Sequence, residues 1–347
     1  MLIRVSFYKG FFDTQENNHN IMILNGLMVA VILNMVLIIL LHYSGKLFKI
    51  RKGGFVKSLT RTGLIISAVI FLVCTYGFLI GKYNFKTEEV TIYFKDLDKG
   101  LDGIKIVHIS DLHLPAFYSH PGQLKKVIRI INSCQPDLLI NTGDFVNYGW
   151  REFDSYDTIL AKAQARYGSF AILGNHDMGT YLPDSSEEER EFNVLKMCEL
   201  IESSGYHLLN KDHSIVNIGG SKMALIGVPT SGHFPSLIHS DIKEAAKGLD
   251  STGFKILLCH DPNQWEEEVT GKTNIELTLS GHTHGMQVGI LAGRLRWSPA
   301  KYFYPNWNGL YKVGDQYQYV NRGLGVLGVP FRIWMSPEIS VITLKAE

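Results

Sequence analysis

The first part of the chain contains two long apolar segments, at residues 21–41 and 63–80. Each has about 20 residues, which is enough for a helix to cross about 30 Å of hydrocarbon. Neither segment shows the polar face of a helix that packs on a soluble core. The first lies too far into the chain for a signal peptide, and no small-residue cleavage site follows it before Lys46. We therefore predict two transmembrane helices within residues 21–81, after an N-terminal segment of residues 1–20.

The loop between the two apolar segments is basic. No acidic residue occurs between His42 and Arg61, whereas six cationic residues do: Lys46, Lys49, Arg51, Lys52, Lys57 and Arg61. Positively charged loops stay on the cytoplasmic side of a membrane. This predicts a two-pass membrane protein whose N-terminus and C-terminal part both lie on the extracytoplasmic side.

After the apolar segments the pattern changes to short strands and amphipathic helices. We interpret residues 82–100 as a polar linker, in which the β-like stretch 90–94 could also form an edge strand. Apolar runs at 105–110, 137–141 and 169–173 predict buried strands, and a helix with one apolar face is expected between the first two. The helices are expected at 123–134, more weakly at 155–166, and from Ser186 to 203, where Glu189 completes a capping box.

Strands follow one another in the rest of the chain, without long helices between them. They are expected at 206–209, 214–218, 222–228, 255–259, 276–279, 318–320 and 339–344. Alternating strands and helices followed by consecutive strands predict an α/β domain with two packed sheets over residues 101–347.

Composition excludes some functions. The chain has 34 basic and 33 acidic residues, so it lacks the positive charge that a nucleic-acid partner would require. Its four cysteines are scattered without CxxC spacing, which favours free buried thiols, although one disulfide remains an alternative.

Five of the predicted strand ends carry metal-ligand side chains. They read Asp111-Leu-His113, Gly143-Asp144, Gly174-Asn175-His176-Asp177, Cys259-His260 and Gly281-His282-Thr-His284. Each alone is commonplace, but together they predict one site built from several loops. In an extended segment, residues two apart point the same way, so Asp111 with His113, and His282 with His284, are expected to converge. Such nitrogen and oxygen ligands suit Mn, Fe or Zn.

This ordered set resembles the calcineurin-like metallophosphoesterase superfamily, whose pattern is DxH, GD, GNHD or GNHE, a lone His, and GHxH. The resemblance covers residues 105–344 and implies a two-sheet αββα sandwich. It is strongest to the membrane-associated or exported bacterial phosphodiesterase branch, on three motifs: HDP at 260–262, SGHTHGMQ at 280–287, and NRGLG…GVPFR…SPEISVITL at 321–344. Met286 departs from the usual HGGQ. The protein Ser/Thr phosphatase branch is excluded, because it carries Asp-Arg-Gly after its Gly-Asp where this chain has Phe-Val-Asn-Tyr after Asp144, and because its GNHE is GNHD here.

The resemblance also implies roles for individual residues. Two divalent ions would be bound, the first by Asp111, His113 and His284, the second by Asn175, His260 and His282, with Asp144 bridging them. His176 would stabilise the transition state or protonate the leaving oxygen, and Asp177 would orient His176 by accepting its other N–H. A metal-bound hydroxide would attack phosphorus in line.

The function expected from these features is a membrane-anchored phosphohydrolase that cleaves a phosphodiester or pyrophosphate bond. Its partners would be the lipid bilayer and a phosphorylated, amphiphilic substrate, including lipid-linked ones. Relatives in this branch hydrolyse UDP-2,3-diacylglucosamine, a substrate that would require a cytoplasmic domain. The alternatives are a lipid phosphomonoesterase, an envelope-polymer phosphodiesterase and a catalytically silent metal-binding scaffold. Arg322 and Arg332 could bind phosphate or be structural, and the aromatic stretch 297–307 could line the substrate site, contact the bilayer or pack internally.

Overall fold

Two long helices precede the α/β domain. The computed structural model describes residues 14–47, 53–182, 185–230, 241–249, 252–293 and 295–347. Within them, α1 (Gln15–Leu47) and α2 (Gly53–Leu79) are long and apolar enough to cross a membrane. Residues 1–13 of the expected N-terminal segment, and Lys49, Arg51 and Lys52 of the basic loop, lie outside the described residues. Helix α1 begins six residues before the predicted apolar segment.

The remaining elements follow the predicted order closely. The strands are β1 (Lys86–Phe94), β2 (Lys105–Ile109), β3 (Leu138–Asn141), β4 (Ser169–Ala171), β5 (Tyr206–Leu208), β6 (Asp212–Ile218), β7 (Ser221–Val228), β8 (Phe254–Cys259), β9 (Leu277–Ser280), β10 (Ile290–Ala292), β11 (Leu295–Trp297), β12 (Gly309–Val313), β13 (Gln316–Val320) and β14 (Glu338–Ala346). The helices are α3 (Pro121–Ser133), α4 (Asp157–Leu160), α5 (Glu187–Ser203) and α6 (Ile242–Ala245).

Twelve of these strands form two six-stranded sheets. The first sheet has the order β1-β14-β2-β3-β4-β5, and the second β12-β13-β9-β8-β7-β6. Strands β2, β3 and β4 are parallel neighbours in the first sheet, as are β7, β8 and β9 in the second. The segment expected as a linker contributes β1, which pairs in parallel with β14 along its whole length and therefore belongs to the α/β domain.

Alternation along the strands explains the layers. Ile106 of β2 points between the two sheets, together with Leu258 of β8, while the next residue, Val107, faces the helices. The buried face of α3 packs on that outer side, and α6 covers the far side of the second sheet. The result is the predicted α/β sandwich of helix, sheet, sheet and helix layers. The four cysteines are free.

The apolar helices are packed against the α/β domain. Phe331 and Ile333 form a small cluster with Cys74 of α2. A Cβ atom at Gly81 would lie 2.1 Å from the carbonyl oxygen of Arg332, so glycine is required for this close approach. The C-terminal end of α2 and the segment that precedes β14 are therefore packed closely together.

Candidate metal centre

The predicted ligands converge where the strands of both sheets end. Asp111 follows β2 and donates its backbone N–H to the carbonyl of Gly143, which follows β3, at 2.8 Å. His260, which follows β8 of the second sheet, donates its Nδ1–H to the carbonyl of Thr142 at 2.6 Å. Parallel strands deliver their carboxyl ends to one edge of a sheet. The first bond joins two such ends within the first sheet, and the second bond joins the second sheet to the first.

Asp111, His113 and His284 form the first ligand group, and all three are buried. The Nε2 atoms of the two histidines lie 3.0 Å apart, and His284 Nε2 lies 3.2 Å from Asp111 Oδ1. Three potential ligand atoms therefore converge in a space that could hold one ion.

Asp144, His260 and His282 form the second group. His260 Nε2 lies 3.1 Å from Asp144 Oδ2, and Nδ1 of His282 lies 2.9 Å from the amide oxygen of Asn175. All four residues assigned to the second site by resemblance are thus brought together.

Asp144 lies between the two groups. Its Oδ2 atom is 3.1 Å from His260 of the second group and 3.8 Å from His113 of the first. Across the same gap, Asp111 Oδ1 is 3.9 Å from His260 Nε2. A carboxylate in this position has the geometry expected of a bridging ligand.

The backbone at the ligands differs from the extended geometry that we predicted. Five ligand residues have positive φ: Asp111, His113, Asp144, His282 and His284, with values between 42° and 70°. Asp111 and His113 do share a ligand group, but through left-handed turns rather than through strand alternation, whereas His282 and His284 lie in different groups, contrary to the prediction. Small residues permit the approach of these loops, since a Cβ at Gly174 would lie 2.1 Å from Asp144 Oδ1 and one at Gly281 would lie 1.9 Å from Ser110 Oγ.

The residues present fit divalent metal ions. His260 Nε2 is buried and makes no hydrogen bond with any residue in the described part of the chain, although it lies close to Asp144. His113 donates Nδ1–H to the side-chain oxygen of Asn147 at 2.7 Å, so that Nε2 keeps its lone pair for a ligand. Imidazole, carboxylate and amide groups together match the ligands of Mn, Fe or Zn sites.

Electrostatics assigns different protonation states to the histidines. Burial lowers the pKa of His113 to about 3 and that of His282 to about 4, so both rings are neutral and able to bind a metal. Burial also lowers the pKa of His260, but the Asp144 and Asp111 carboxylates outweigh it and raise the pKa to about 10. A metal ion at His260 therefore competes with a proton.

His176 is buried beside the ligands without belonging to either group. Its Nδ1 donates to the carbonyl of Asn147 at 2.6 Å, and its backbone N–H donates to Asp144 Oδ1 at 2.9 Å. Burial lowers its pKa, against the opposing effect of Asp144. The ring of Tyr181 stacks on it, with centroids 4.3 Å apart.

The predicted role of Asp177 was wrong. Its carboxylate accepts four backbone N–H groups instead of the ring of His176: those of Asp144 and Phe145 at 2.8 Å, Gly174 at 2.9 Å and Val146 at 3.3 Å. Burial and the nearby Asp144 raise its pKa to about 7, while these N–H groups favour the charged form. Asp177 therefore holds the loops after β3 and β4 together.

Several supporting residues were missed in the sequence. Asn147 orients His113 and His176, and the Tyr304 hydroxyl lies 2.8 Å from Nε2 of His282. The Tyr181 hydroxyl accepts a hydrogen bond from the amide of Asn175 at 3.1 Å. All are ordinary residue types that form no motif, although Asn147 follows the Gly-Asp motif by three residues and Tyr181 lies six residues after Asn175.

Both arginines considered for phosphate binding are structural. Arg322 pairs with Glu338 at 3.1 Å and with Glu88 at 2.8 Å. Arg332 is fully buried, donates to the carbonyls of Arg322 and Gly325, and lies 3.2 Å from Nδ1 of His284.

The aromatic stretch divides into two parts. Tyr304 contacts a ligand, and the carbonyl of buried Trp307 accepts a hydrogen bond from Thr283 at 2.7 Å. Tyr302 and Phe303 are exposed. The stretch therefore supports the site at one end and presents aromatic surface at the other.

Comparisons with known proteins agree with this geometry. A family model described as calcineurin-like phosphoesterase matches residues 104–286. An uncharacterized metallophosphoesterase of Bacillus subtilis, YkuE, is 32% identical over 278 residues, covering 78% of this chain and 89% of the relative. An uncharacterized metallophosphoesterase of Aquifex aeolicus is 27% identical over 268 residues, covering 76% and 94%.

One longer relative is named as a transmembrane protein. A Danio rerio protein called transmembrane protein with metallophosphoesterase domain is 28% identical over 303 residues, which are 82% of this chain. The match covers 62% of that relative, so this chain spans less than two thirds of its length.

Proposed function

This chain belongs to the calcineurin-like phosphoesterase family and is a metal-dependent phosphoesterase, and we propose that it is a membrane-anchored enzyme with two metal ions that cleaves a phosphodiester or pyrophosphate bond of an amphiphilic substrate. The observation that carries this proposal is the position of Asp144, 3.1 Å from one ligand group and 3.8 Å from the other. Two groups that share a carboxylate in this way suit a pair of ions rather than one.

The residues divide the chemistry between them. Asp111, His113 and His284 would hold one ion and Asn175, His260 and His282 the other, with Asp144 shared. Such ions supply Lewis-acid stabilisation of phosphoryl charge and lower the pKa of water. His176 donates Nδ1–H to Asn147, so its Nε2 is the atom that faces proton transfer: it would pass a proton to the leaving oxygen only from the imidazolium form, in which both ring nitrogens carry hydrogen.

The apolar helices support an amphiphilic substrate. Both are long and apolar enough to cross a membrane, and both contact the catalytic domain. Exposed Tyr302 and Trp334 are of the residue types enriched at membrane interfaces, and Phe303 is exposed beside Tyr302. An active site fixed to a bilayer meets lipid-linked phosphoesters at high local concentration, whereas a soluble substrate would gain little from it.

The basic loop supports an extracytoplasmic position for the catalytic domain. Because the start of α1 and the end of α2 both contact the catalytic domain, the end of α1 and the start of α2, between which the basic segment falls in the sequence, point away from that domain. A cytoplasmic loop then places the domain outside the cytoplasm. Alkaline phosphatase fused to the C-terminus should be active. If instead a fluorescent protein that folds only in the cytoplasm is fluorescent at the C-terminus and the phosphatase is inactive, the domain lies in the cytoplasm.

Hydrolysis of model esters by the full chain in detergent tests the catalytic proposal. We expect Mn²⁺-dependent cleavage of bis-p-nitrophenyl phosphate that exceeds cleavage of the monoester. His176→Ala should lower kcat by about 10²–10⁴-fold, the usual contribution of a general acid, without changing Mn²⁺ content. His207→Ala is the matched control, because His207 is exposed on β5.

Other results would support the alternatives. Preferential turnover of the monoester would indicate a phosphomonoesterase. Failure to hydrolyse either ester or a lipid pyrophosphate, with two Mn²⁺ ions bound, would reduce the protein to a metal-binding scaffold.

A further inference from the structure

The start of α1 has a polar face that is buried in the catalytic domain. Gln15, Asn18, His19 and Met22 are all buried, at spacings of three and four residues that form one face of the helix. Glu16 and Asn20 are exposed on the other side. A helix that served only as an anchor would need apolar residues and no such face. We call Gln15–Met22 the docking turn pair.

The docking turn pair binds a buried glutamate. Asn18 donates its side-chain amide to Glu152 Oε1, and Gln15 donates to the backbone carbonyl of Glu152. His19 extends the contact, since its Nδ1 lies 3.2 Å from the carbonyl of Pro115. Glu152 is fully buried, and a carboxylate in that position must be compensated by hydrogen bonds.

The other carboxylate oxygen of Glu152 holds the loop that orients the site. Oε2 accepts the backbone N–H of Asn147 at 2.5 Å and that of Tyr148 at 3.1 Å. The glutamate thus joins α1 on one side to the backbone of Asn147 on the other.

Asn147 is the residue on which two parts of the site depend. Its side-chain oxygen accepts Nδ1–H of the ligand His113 at 2.7 Å, and its carbonyl accepts Nδ1–H of His176 at 2.6 Å. Its amide nitrogen lies 3.9 Å from the sulfur of Met22 in the docking turn pair. A shift of Asn147 therefore moves a metal ligand and the proton-transferring imidazole together.

We propose that the docking turn pair is a positioning element of the active site, with Asn18 and Met22 as positioning residues that act through Glu152 and Asn147. The apolar helix then does more than hold the enzyme near its substrate: its polar start sets the geometry of His113 and His176. This inference rests on the proposed function only in taking His113 as a metal ligand.

Direct Mn²⁺ binding by the full chain in detergent, measured by electron paramagnetic resonance, tests the proposal without relying on a substrate. We expect Asn18→Ala to weaken Mn²⁺ binding by about tenfold, the lower end of the effect of residues that support metal ligands. If the chain hydrolyses bis-p-nitrophenyl phosphate, Asn18→Ala should also lower kcat for this substrate at saturating Mn²⁺ and leave its KM unchanged. Asn20→Ala, on the exposed side of the same helix, should leave Mn²⁺ affinity, kcat and Tm at their original values.

A charge exchange separates positioning from simple packing. Asn18→Asp places a second carboxylate against Glu152 and should weaken Mn²⁺ binding more than Asn18→Ala does. Adding Glu152→Gln should restore most of the lost affinity, because the amide can donate to Asp at position 18 while its oxygen still accepts from Asn147.

The outcomes distinguish this inference from the proposed function. Equal Mn²⁺ affinity in Asn18→Ala and the original chain, or a lower Tm as its only change, overturns the positioning role and leaves the phosphohydrolase proposal intact. Weaker Mn²⁺ binding in both Asn18→Ala and Asn18→Asp, restored in the latter by Glu152→Gln, supports the positioning role, and if the chain hydrolyses no ester it overturns the proposed reaction.

Discussion

Replacing Asp177 by asparagine tests whether this residue is catalytic or holds the scaffold. Each carboxylate oxygen accepts two backbone N–H groups, Oδ2 those of Asp144 and Gly174, and Oδ1 those of Phe145 and Val146. In Asp177→Asn, one oxygen becomes an NH₂ group that faces two donors. Two buried N–H groups then lose their acceptor, whichever way the amide is turned.

The magnitude follows from those two orphaned groups. Each costs about 1–3 kcal/mol, which gives about 2–6 kcal/mol for the pair. Asparagine also removes the charge whose burial raises the pKa of Asp177 to about 7, and this relief favours the lower half of the range. For a domain of this size, about 3 kcal/mol lowers Tm by roughly 6–12 °C.

Thermal unfolding of the full chain in detergent, without added metal, measures this effect. Asp154→Asn is the control, since Asp154 is exposed and also has positive φ, which asparagine accepts readily; it should leave Tm within about 1–2 °C because exposed substitutions change stability little. An unchanged Tm in Asp177→Asn, combined with a loss of kcat like that of His176→Ala, would refute the scaffold reasoning and return Asp177 to the catalytic role inferred from the sequence.

Two further predictions concern the ligand loops. Tyr304→Phe removes the hydroxyl at Nε2 of His282 and should weaken Mn²⁺ binding, measured by calorimetry, by about tenfold or more. The control Tyr302→Phe, at an exposed ring, should leave Mn²⁺ binding unchanged. Equal Mn²⁺ affinities in the two variants would show that the Tyr304 hydroxyl does not orient His282. Gly281→Ala places a methyl group 1.9 Å from a serine hydroxyl and should cost about 1–3 kcal/mol and abolish Mn²⁺ binding, whereas Gly122→Ala, in open space on α3, should be neutral; Mn²⁺ binding retained in Gly281→Ala would contradict the close packing of the loops.

The positions of the strands along the chain and the types of the ligand residues could be predicted, because both depend on local sequence. Each ligand directly follows an apolar run, and a run of five or six such residues identifies a buried strand whatever its partners are. The capping box at Ser186 and Glu189 was likewise local, and the structure contains both of its hydrogen bonds. The sequence therefore predicted one site built from the loops that follow several strands, before any strand pairing was known.

Tertiary contacts account for what the sequence could not reveal. The helix expected at 155–166 is only Asp157–Leu160, because Asn132 of α3 bonds the backbone of Lys162 and Gln164 and so competes with helical bonding. Asn147 and Glu152 became visible as supports only when their partners on other elements were known. Glutamate in a short polar stretch carries no sign that it will be buried.

The strained ligand backbone explains why so many supporting residues surround the site. Five ligand residues have left-handed φ, which costs about 1 kcal/mol or more for each residue other than glycine. The sum, roughly 5 kcal/mol, is comparable with the whole stability of many domains. Such turns persist only where neighbouring contacts over-determine them. Three features supply those contacts: the four hydrogen bonds of Asp177, the hydrogen bonds of buried Arg332, and the contacts that join α1 to Asn147 through Glu152. Weakening any of these supports should therefore reduce metal affinity before it unfolds the domain.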